Sequence, residues 1–274
     1  MHYPPRHAVH AAAAENPEPV APHRADPDVI LEQQSHRPWP IPATPWIMRQ
    51  SWCDLLFAHW PVPVDALRPH VPAPLALDAF DGSAWLGVVP FQVRDARPRG
   101  LPGVPSATEF LELNVRTYVT VDGKPGVHFF SLDAGSALAV LGGRTFFRLR
   151  YFEAEMHRTE TAAGTHFRSR RLGASGLDVD CTYQPAGEPA APQAGSLEHF
   201  LTERYCLYTA HRRHGVSRVD IHHRRWPLQP AAAEFRRLGV ARGAGVEPPV
   251  DPPLLHYAAE QHVLIWPPES VTHE

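Results

Sequence analysis

The stretch from Glu109 to Asp133, EFLELNVRTYVTVDGKPGVHFFSLD, has two runs rich in Val, Tyr, Phe and Thr on either side of an Asp-Gly turn. This pattern predicts a β-hairpin. Because successive strand side chains point to opposite faces, Glu112, Asn114 and Arg116 share one face of the first strand with Tyr118. The other face is mostly apolar and consists of Leu111, Leu113, Val115, Thr117 and Val119. One strand therefore carries an acid, an amide, a guanidinium and a phenol in a row.

This polar row has two interpretations. On a half-exposed antiparallel sheet, such a row faces solvent. In a sheet that curls into a barrel, the row instead lines an interior cavity and supplies the few convergent polar groups that a small-molecule site needs. The return strand, Val127 to Asp133, is largely apolar on both faces. Such a strand is usually covered on both sides, which favours the cavity.

Composition narrows the class of protein. The chain has 274 residues, 43% hydrophobic and 20% charged, as is ordinary for a globular protein with a substantial core. Its formal net charge of -3, from 26 basic and 29 acidic residues, gives no general attraction to nucleic acid or to an anionic membrane. Neither is therefore expected as a partner. The sequence has no long apolar segment and no basic, hydrophobic leader, so a cytoplasmic location is expected.

The sequence offers little support for a metal or a cofactor. Cys53, Cys181 and Cys206 are widely separated and form no CxxC motif, which favours reduced thiols over a disulfide framework or a zinc cluster. The absence of a GxGxxG or P-loop motif argues against nucleotides. Ser131 and Asp133 point to the same side of a strand, where structural hydrogen bonding is favoured over catalysis. We therefore expect no cofactor and no metal.

The chain divides into a tail and one domain. Residues 1–44 are dominated by Pro, Ala, His and acidic residues, which cannot bury enough apolar surface to offset the entropy of ordering, so this segment is predicted to be disordered. Residues 45–274 are predicted to form a single α+β, β-rich domain. Its large antiparallel sheet is expected to curl into a barrel or cone with a few short helices. One helix is predicted from Ala231 to Leu238, with Pro230 in its first turn.

A clearer helix is predicted to begin after Ser196, a suitable N-cap. The residues that recur at helical spacing are Leu197, Phe200, Leu201, Arg204, Tyr205 and Tyr208. Arg204 lies on the apolar face of this helix. Since an unpaired buried charge costs about 3–5 kcal/mol, the arginine needs a carboxylate, which we expect to be Glu112 or a substrate acid.

Several long phrases, taken together and in this order, resemble the uncharacterised bacterial YqjF-like family (domain of unknown function 2071). They are SWCDLLFAHWPVPVDALRPHVPAPLALDAFDGSAWLGVVPF, FLELNVRTYV, GVHFFSLDA, SLEHFLTERYCLY and HHRRWPLQP. The resemblance extends from about Trp46 to Trp266. The family is similar in fold to the acetoacetate decarboxylase superfamily, which implies a β-rich barrel or cone with an interior ligand cavity but not the same reaction.

The resemblance raises the question of whether this chain has a lysine that can form a Schiff base. Acetoacetate decarboxylase uses such a lysine, whose pKa is lowered enough for the neutral amine to attack a carbonyl. Lys124 is the single lysine of this chain and lies in the DGKPG turn, where solvent should keep it protonated. After the Gly143-Arg144 phrase that matches the decarboxylases, the positions nearest the expected lysine hold Arg148 and Arg150. Arginine stays protonated and cannot form an imine. The resemblance identifies Glu112 as a pocket carboxylate.

We interpret the protein as a small-molecule-binding barrel, with its oligomeric state left open. It is either a cofactor-free, lyase-type enzyme that acts on a small anionic or carbonyl compound without a Schiff-base lysine, or a non-catalytic ligand-binding or sensor protein. Glu112 is the predicted catalytic residue. Arg116 and Arg204 are predicted to hold the anion, and the residues predicted to orient it are Asn114, Tyr118 and Tyr205.

Overall fold

The computed structural model describes residues 26–104, 107–211, 215–247 and 251–271. Within these ranges the chain is mainly β-structure. The strands are β1 (Met48–Pro63), β2 (Ala76–Leu77), β3 (Ser83–Pro98), β4 (Phe110–Val121), β5 (Lys124–Ala134), β6 (Tyr151–Thr161), β7 (Gly164–Arg171), β8 (Asp178–Pro185), β9 (Cys206–His211), β10 (Gly215–His222), β11 (Gln229–Leu238), β12 (Leu254–Ile265) and β13 (Glu269–Val271). The helices are α1 (Pro27–Glu32), α2 (Val64–Leu67), α3 (Ala137–Thr145) and α4 (Leu197–Thr202), with 3-10 turns at Arg68–His70 and Gly239–Ala244.

The hairpin predicted from the Asp-Gly signal is β4 and β5. Asp122 and Gly123 form its two-residue loop between the paired residues Val121 and Lys124. Both loop residues have positive φ, 48° and 72°, as a type I′ turn requires. The turn thus sets the register from Val121 back to Arg116, and a register shift between Arg116 and Val115 moves the remaining pairs by one residue.

Strand pairing closes the sheet into a ring. Going round, β1 pairs with β3, β3 with β4, β4 with β5, β5 with β9, β9 with β10, β10 with β12, and β12 with β1. The β5–β9 pair is parallel, as is β5–β6, so the sheet is mixed although mostly antiparallel. The predicted β-rich, curled fold is confirmed, with these two parallel pairs as a difference.

A second arc of strands covers part of this ring. Strands β6, β7, β8 and β11 connect β5 to β12 outside the ring. The space between the arc and the ring is filled by a large apolar cluster that includes Val115 of β4, Phe167 of β7 and Cys181 of β8. The apolar face of β4 therefore packs outward into this cluster, which leaves the polar face directed into the ring.

Two predictions, the extent of the N-terminal tail and one internal helix, differ from the structure. Residues 1–25 lie outside the described part of the chain, but residues 26–44, assigned to the disordered tail, pack against the barrel. Ile30 of α1 joins a buried cluster with β12, and the Arg37 guanidinium donates to the Ile221 carbonyl at 2.6 Å. The segment predicted as a helix, Ala231–Leu238, lies within β11, where pairing with β8 outweighs the helical preference of its alanines.

Candidate functional site

The ring encloses a cavity of about 100 Å³. Each of the seven ring strands contributes side chains to its wall, and most of these are aliphatic or aromatic, such as Leu55, Phe57 and Val219. A buried water needs about 10–15 Å³ by the same measure, so the cavity has room for a molecule of a few heavy atoms. An enclosed apolar space with few polar groups is typical of small-molecule sites.

Three of the predicted residues on β4 lie in this cavity. Glu112, Asn114 and Arg116 line it, as strand alternation predicts. Tyr118 lies on the same face but packs beyond the cavity wall against Trp85 and its neighbours. The structure therefore brings together the acid, the amide and one guanidinium and places the phenol behind them.

Glu112 is a buried acid with an altered proton affinity. The Tyr151 hydroxyl donates to its Oε2 at 2.9 Å, and the residue is 5% exposed. Burial raises the pKa of Glu112 to about 8, although the Tyr151 hydrogen bond acts in the opposite direction, and the nearby Asp133 raises it slightly further. At neutral pH the carboxyl is therefore mostly protonated, with a minor ionised fraction.

Arg116 is a cation without a carboxylate partner among the described residues. Its guanidinium lies 5.3 Å from the centroid of the Phe57 ring and 5.8 Å from that of Tyr118. The Tyr118 hydroxyl is itself 2.6 Å from Nε2 of His59, a buried imidazole whose pKa is lowered well below its ordinary value, mainly by burial and also by Arg116. The positive charge at this end of the cavity is thus not neutralised by the protein groups around it.

Arg204 also lines the cavity, but its partner differs from the expectation. Its guanidinium donates to Asp78 at 2.7 Å and to the Phe200 carbonyl at 2.6 Å, so Glu112 is not the partner. Arg204 follows α4 rather than lying within it. Tyr205, predicted to orient the ligand, stacks on His223 at 4.8 Å and donates its hydroxyl to Glu203; it is not among the side chains that line the cavity.

The Arg204–Asp78 contact leads to a prediction about stability. We expect Arg204→Gln to lower the free energy of unfolding by about 1.5–3 kcal/mol, because a charge-assisted hydrogen bond is lost in a largely buried setting. Arg94→Gln, which removes a surface pair with Glu109, is the matched control and should cost less than about 1 kcal/mol. Urea unfolding of both variants gives the comparison. Equal losses would contradict a structural role for Arg204.

Sequence reasoning missed several residues of the cavity. Tyr151, the partner of Glu112, lines it together with Phe147 and Leu149, and these three alternate with Arg148 and Arg150. This alternation of apolar residues and arginines is present in the sequence, and it would have predicted that Phe147, Leu149 and Tyr151 point inward and the two arginines outward. Both arginines are exposed, so they do not take the place of a cavity lysine.

Trp226, His223 and Gln50 also line the cavity and were not predicted to do so. Trp226 lies between named elements and is positioned by aromatic packing on Trp52 and Phe57, at ring centroid distances of 6.2 Å and 5.0 Å. Such contacts join distant parts of the chain. No local pattern in the sequence indicates them.

Lys124 is remote from the cavity lining. It starts β5 at the hairpin turn, and its ammonium lies 5.9 Å from the centroid of the Trp39 ring. Over the described ranges, no group of three or more His, Cys, Asp or Glu side chains is arranged to hold a metal ion. In the same part of the chain, no helix has the length and apolar character needed to cross a membrane.

An apolar groove of about 470 Å³ adjoins the cavity. Gln50, Phe147 and Tyr151 line both spaces, so these three side chains form the partition between them. The far wall of the groove includes Leu138 of α3 and the exposed Val104. Tyr151, which donates to Glu112, is thus shared by the cavity and the groove.

Comparison with known proteins agrees with this fold. The sequence profile of DUF2071, described as an uncharacterized conserved protein, matches residues 49–262. The uncharacterized protein YqjF of Bacillus subtilis (strain 168) is 47% identical over 227 residues, which is 83% of this chain and 93% of that protein.

Solved structures with the same fold are more distant in sequence. The enduracididine biosynthesis enzyme MppR, in complex with pyruvate, has a TM-score of 0.57 at 14% identity, over 82% of this chain and 90% of that one. A structure of acetoacetate decarboxylase has a TM-score of 0.55 at 13% identity, over 89% of this chain and 97% of that one. At these identities the likeness concerns the fold, which is that of the acetoacetate decarboxylase-like enzymes.

Proposed function

The chain belongs to DUF2071, a family of uncharacterized conserved proteins, and from the geometry of its cavity we propose that it is a cofactor-free enzyme acting on a small carbonyl-bearing carboxylate. Glu112 transfers the proton, Arg116 binds the carboxylate, and no imine forms. The observation that carries the proposal is a set of unpartnered polar atoms on side chains that line an otherwise apolar cavity, close to a buried acid.

These unpartnered atoms are Oδ1 of Asn114, Nε of Arg116 and Nε1 of Trp226. All three are buried without a hydrogen-bond partner among the described residues. Leaving a buried polar group unpaired costs about 1–3 kcal/mol, so native proteins rarely do so without a reason. The two N–H donors suit the oxygen atoms of a ligand, and the unneutralised charge of Arg116 favours an anionic one. Oδ1 of Asn114 is an acceptor and suits an O–H group, such as that of an enol form of the ligand.

The raised pKa of Glu112 suits proton transfer. A carboxyl group with a pKa of about 8 exists in both forms near neutral pH, which is the condition for an effective general acid and base. The ionised form takes a proton from the carbon next to the substrate carbonyl, and the C–H electron pair moves to give an enolate. The protonated form returns the proton to the carbon. The Tyr151 hydroxyl stabilises the carboxylate form of Glu112 before the first step and after the second.

Related structures support the ligand class without fixing the reaction. MppR was solved with pyruvate, a small carbonyl acid, and acetoacetate decarboxylase is named for another. In the present chain, Lys124 is the single lysine and does not line the cavity. A route without an imine is therefore the one that these residues can follow.

The proposal is tested by proton exchange. Pyruvate and acetoacetate are incubated with the protein in D₂O, and loss of the C–H signals is followed by proton NMR. Exchange that the parent protein accelerates and Glu112→Gln does not would support the proposal. Tight binding with no exchange would favour a non-catalytic binder, and an adduct trapped by borohydride would contradict the absence of an imine.

Arg116→Gln is expected to weaken binding of these carboxylates between about tenfold and a hundredfold, the loss typical of one charged hydrogen bond. The amide retains similar bulk but no charge. Isothermal titration with pyruvate measures the change. As a control on charge alone, Arg236→Gln on the exposed face of β11 removes one positive charge far from the cavity lining and should leave binding unchanged.

A further inference from the structure

A second recess lies on the outside of the barrel, and we refer to it as the basic cleft. It has a volume of about 820 Å³. Its side chains include Arg68, His128, Arg148, Arg150 and Thr209. Phe129 and Leu149 line both the basic cleft and the interior cavity, so they separate the two spaces. The cleft is therefore a neighbour of the proposed active site but has a different chemistry.

The charge in the basic cleft is of one sign. Its described lining residues include three arginines and no Asp or Glu. Arg68 donates to the carbonyls of Leu75 and Pro72 at 2.6 Å and 2.8 Å, which fixes the side chain without neutralising its charge. Arg148 and Arg150 are exposed and have no salt bridge within the described ranges. Such a concentration of cations in a recess attracts anions.

Thr209 supplies an independent indication of a ligand. Its side chain lines the basic cleft and is only 7% exposed, yet its Oγ1 has no hydrogen-bond partner among the described residues. A buried hydroxyl without a partner is costly. The cost is removed when an oxygen-rich ligand occupies the cleft and exchanges a hydrogen bond with this hydroxyl.

The backbone at Arg148 points to the same conclusion. Five described residues other than glycine have positive φ, and four of them are aspartates, which tolerate this conformation comparatively well. Arg148, at φ 55°, is the exception. Its carbonyl accepts a hydrogen bond from Nε2 of His211 at 2.9 Å, which helps to hold it there. Strained residues of this kind are frequent at binding sites.

We propose that the basic cleft binds the phosphate group of a small phosphorylated molecule. A phosphate presents several oxygens around one centre, which matches guanidinium groups from separate segments and a hydroxyl donor. His128 contributes differently. Burial, assisted by the charges of Arg150 and Arg68, lowers the pKa of His128 to about 4, so its ring stays neutral, and its Nδ1 lies 3.2 Å from the Tyr208 carbonyl.

Phenyl phosphate is the ligand for the test, measured by isothermal titration on the full chain. We expect saturable binding that weakens with added salt. Arg148→Gln/Arg150→Gln should raise the dissociation constant by at least about tenfold. Thr209→Val should raise it by roughly threefold, the effect of losing one neutral hydrogen bond. Arg148→Gly should also weaken binding while its Tm stays at or above that of the parent, because glycine adopts positive φ without strain.

Two controls test whether phenyl phosphate binds in the basic cleft. Arg236→Gln/Arg237→Gln removes the same charge from the exposed surface of β11 and should change the dissociation constant by less than about twofold. Arg116→Gln should also leave it unchanged, since that residue serves the interior cavity. An equal loss in the β11 variant, a loss in Arg116→Gln, or binding of an RNA oligonucleotide in place of phenyl phosphate would each overturn the proposal.

Discussion

The parent protein is expected to lose stability, on the order of 5 kcal/mol at most, as the pH rises from 4.5 to about 8, and Glu112→Gln is expected not to show this loss. In the folded protein, burial keeps Glu112 protonated up to about pH 8, whereas in the unfolded chain it ionises near pH 4.5. Between these values the folded state holds more protons. The contribution of protonated Glu112 to the free energy of unfolding is therefore complete below pH 4.5. It decreases as the pH rises and is lost above about pH 8, the pKa of Glu112 in the folded protein.

Urea unfolding at pH 5.5 and pH 8 measures this effect as the difference between the parent protein and Glu112→Gln. The difference matters because buried histidines such as His59, whose pKa is lowered, change stability in the opposite direction over part of the same range. Both proteins share that contribution, so it cancels. Glu188→Gln, in an exposed loop, is the control and should follow the parent. If the free energy of unfolding of Glu112→Gln changes between pH 5.5 and pH 8 as much as that of the parent, Glu112 is not the buried acid responsible.

The sequence was informative where the relevant physics is local. Strand alternation alone places Glu112, Asn114 and Arg116 on one face, and in the structure that face lines the cavity. Tyr118, predicted to share the row, packs beyond the cavity wall. The segment from Ala231 to Leu238 shows the limit of such reasoning. Alanine-rich composition favours a helix, yet its strand pairing with β8 is a tertiary interaction, which outweighs intrinsic preference.

Contacts between distant segments were not predictable in the same way. Arg204 was expected to need a carboxylate, and it has one, but Asp78 lies 126 positions away along the chain. The packing of Arg37 against the Ile221 carbonyl spans 184 positions and draws an apparently featureless segment onto the barrel. Physical chemistry predicts that such groups need partners. Only the closed ring determines which partners they meet.

Asp133→Ala is expected to lower the free energy of unfolding by about 3–5 kcal/mol, the cost typical of breaking a buried ion pair. Asp133 is fully buried on β5, and its carboxylate receives hydrogen bonds from Arg171 at the end of β7, with the closest contact at 2.7 Å. The Arg171 guanidinium also lies 4.1 Å from the centroid of the Phe152 ring. Removing the acid leaves this guanidinium buried without its counter-charge.

The double variant Asp133→Leu/Arg171→Met tests whether the loss in Asp133→Ala comes from the uncompensated charge or from lost packing. If the loss in Asp133→Ala comes from the uncompensated charge, the double variant should regain most of it, because buried pairs are often replaceable by apolar groups. Urea unfolding of Asp133→Leu, Arg171→Met and the double variant completes the cycle, with Asp133→Ala measured beside them. A double variant that loses the sum of the two single losses would mean that the pair does not act as a unit.

The same pair is linked to the proposed active site. The charge of Asp133 contributes to the raised pKa of Glu112, and Ala134, the next residue of β5, is the strand partner of Glu112. In Asp133→Asn, the pKa of Glu112 is therefore expected to fall, and the pH at which stability is lost should fall with it. The stability curve of Asp133→Asn against pH measures this shift, and an unchanged midpoint would contradict the coupling. Because burial is the larger cause, Glu112 should still titrate above its ordinary value.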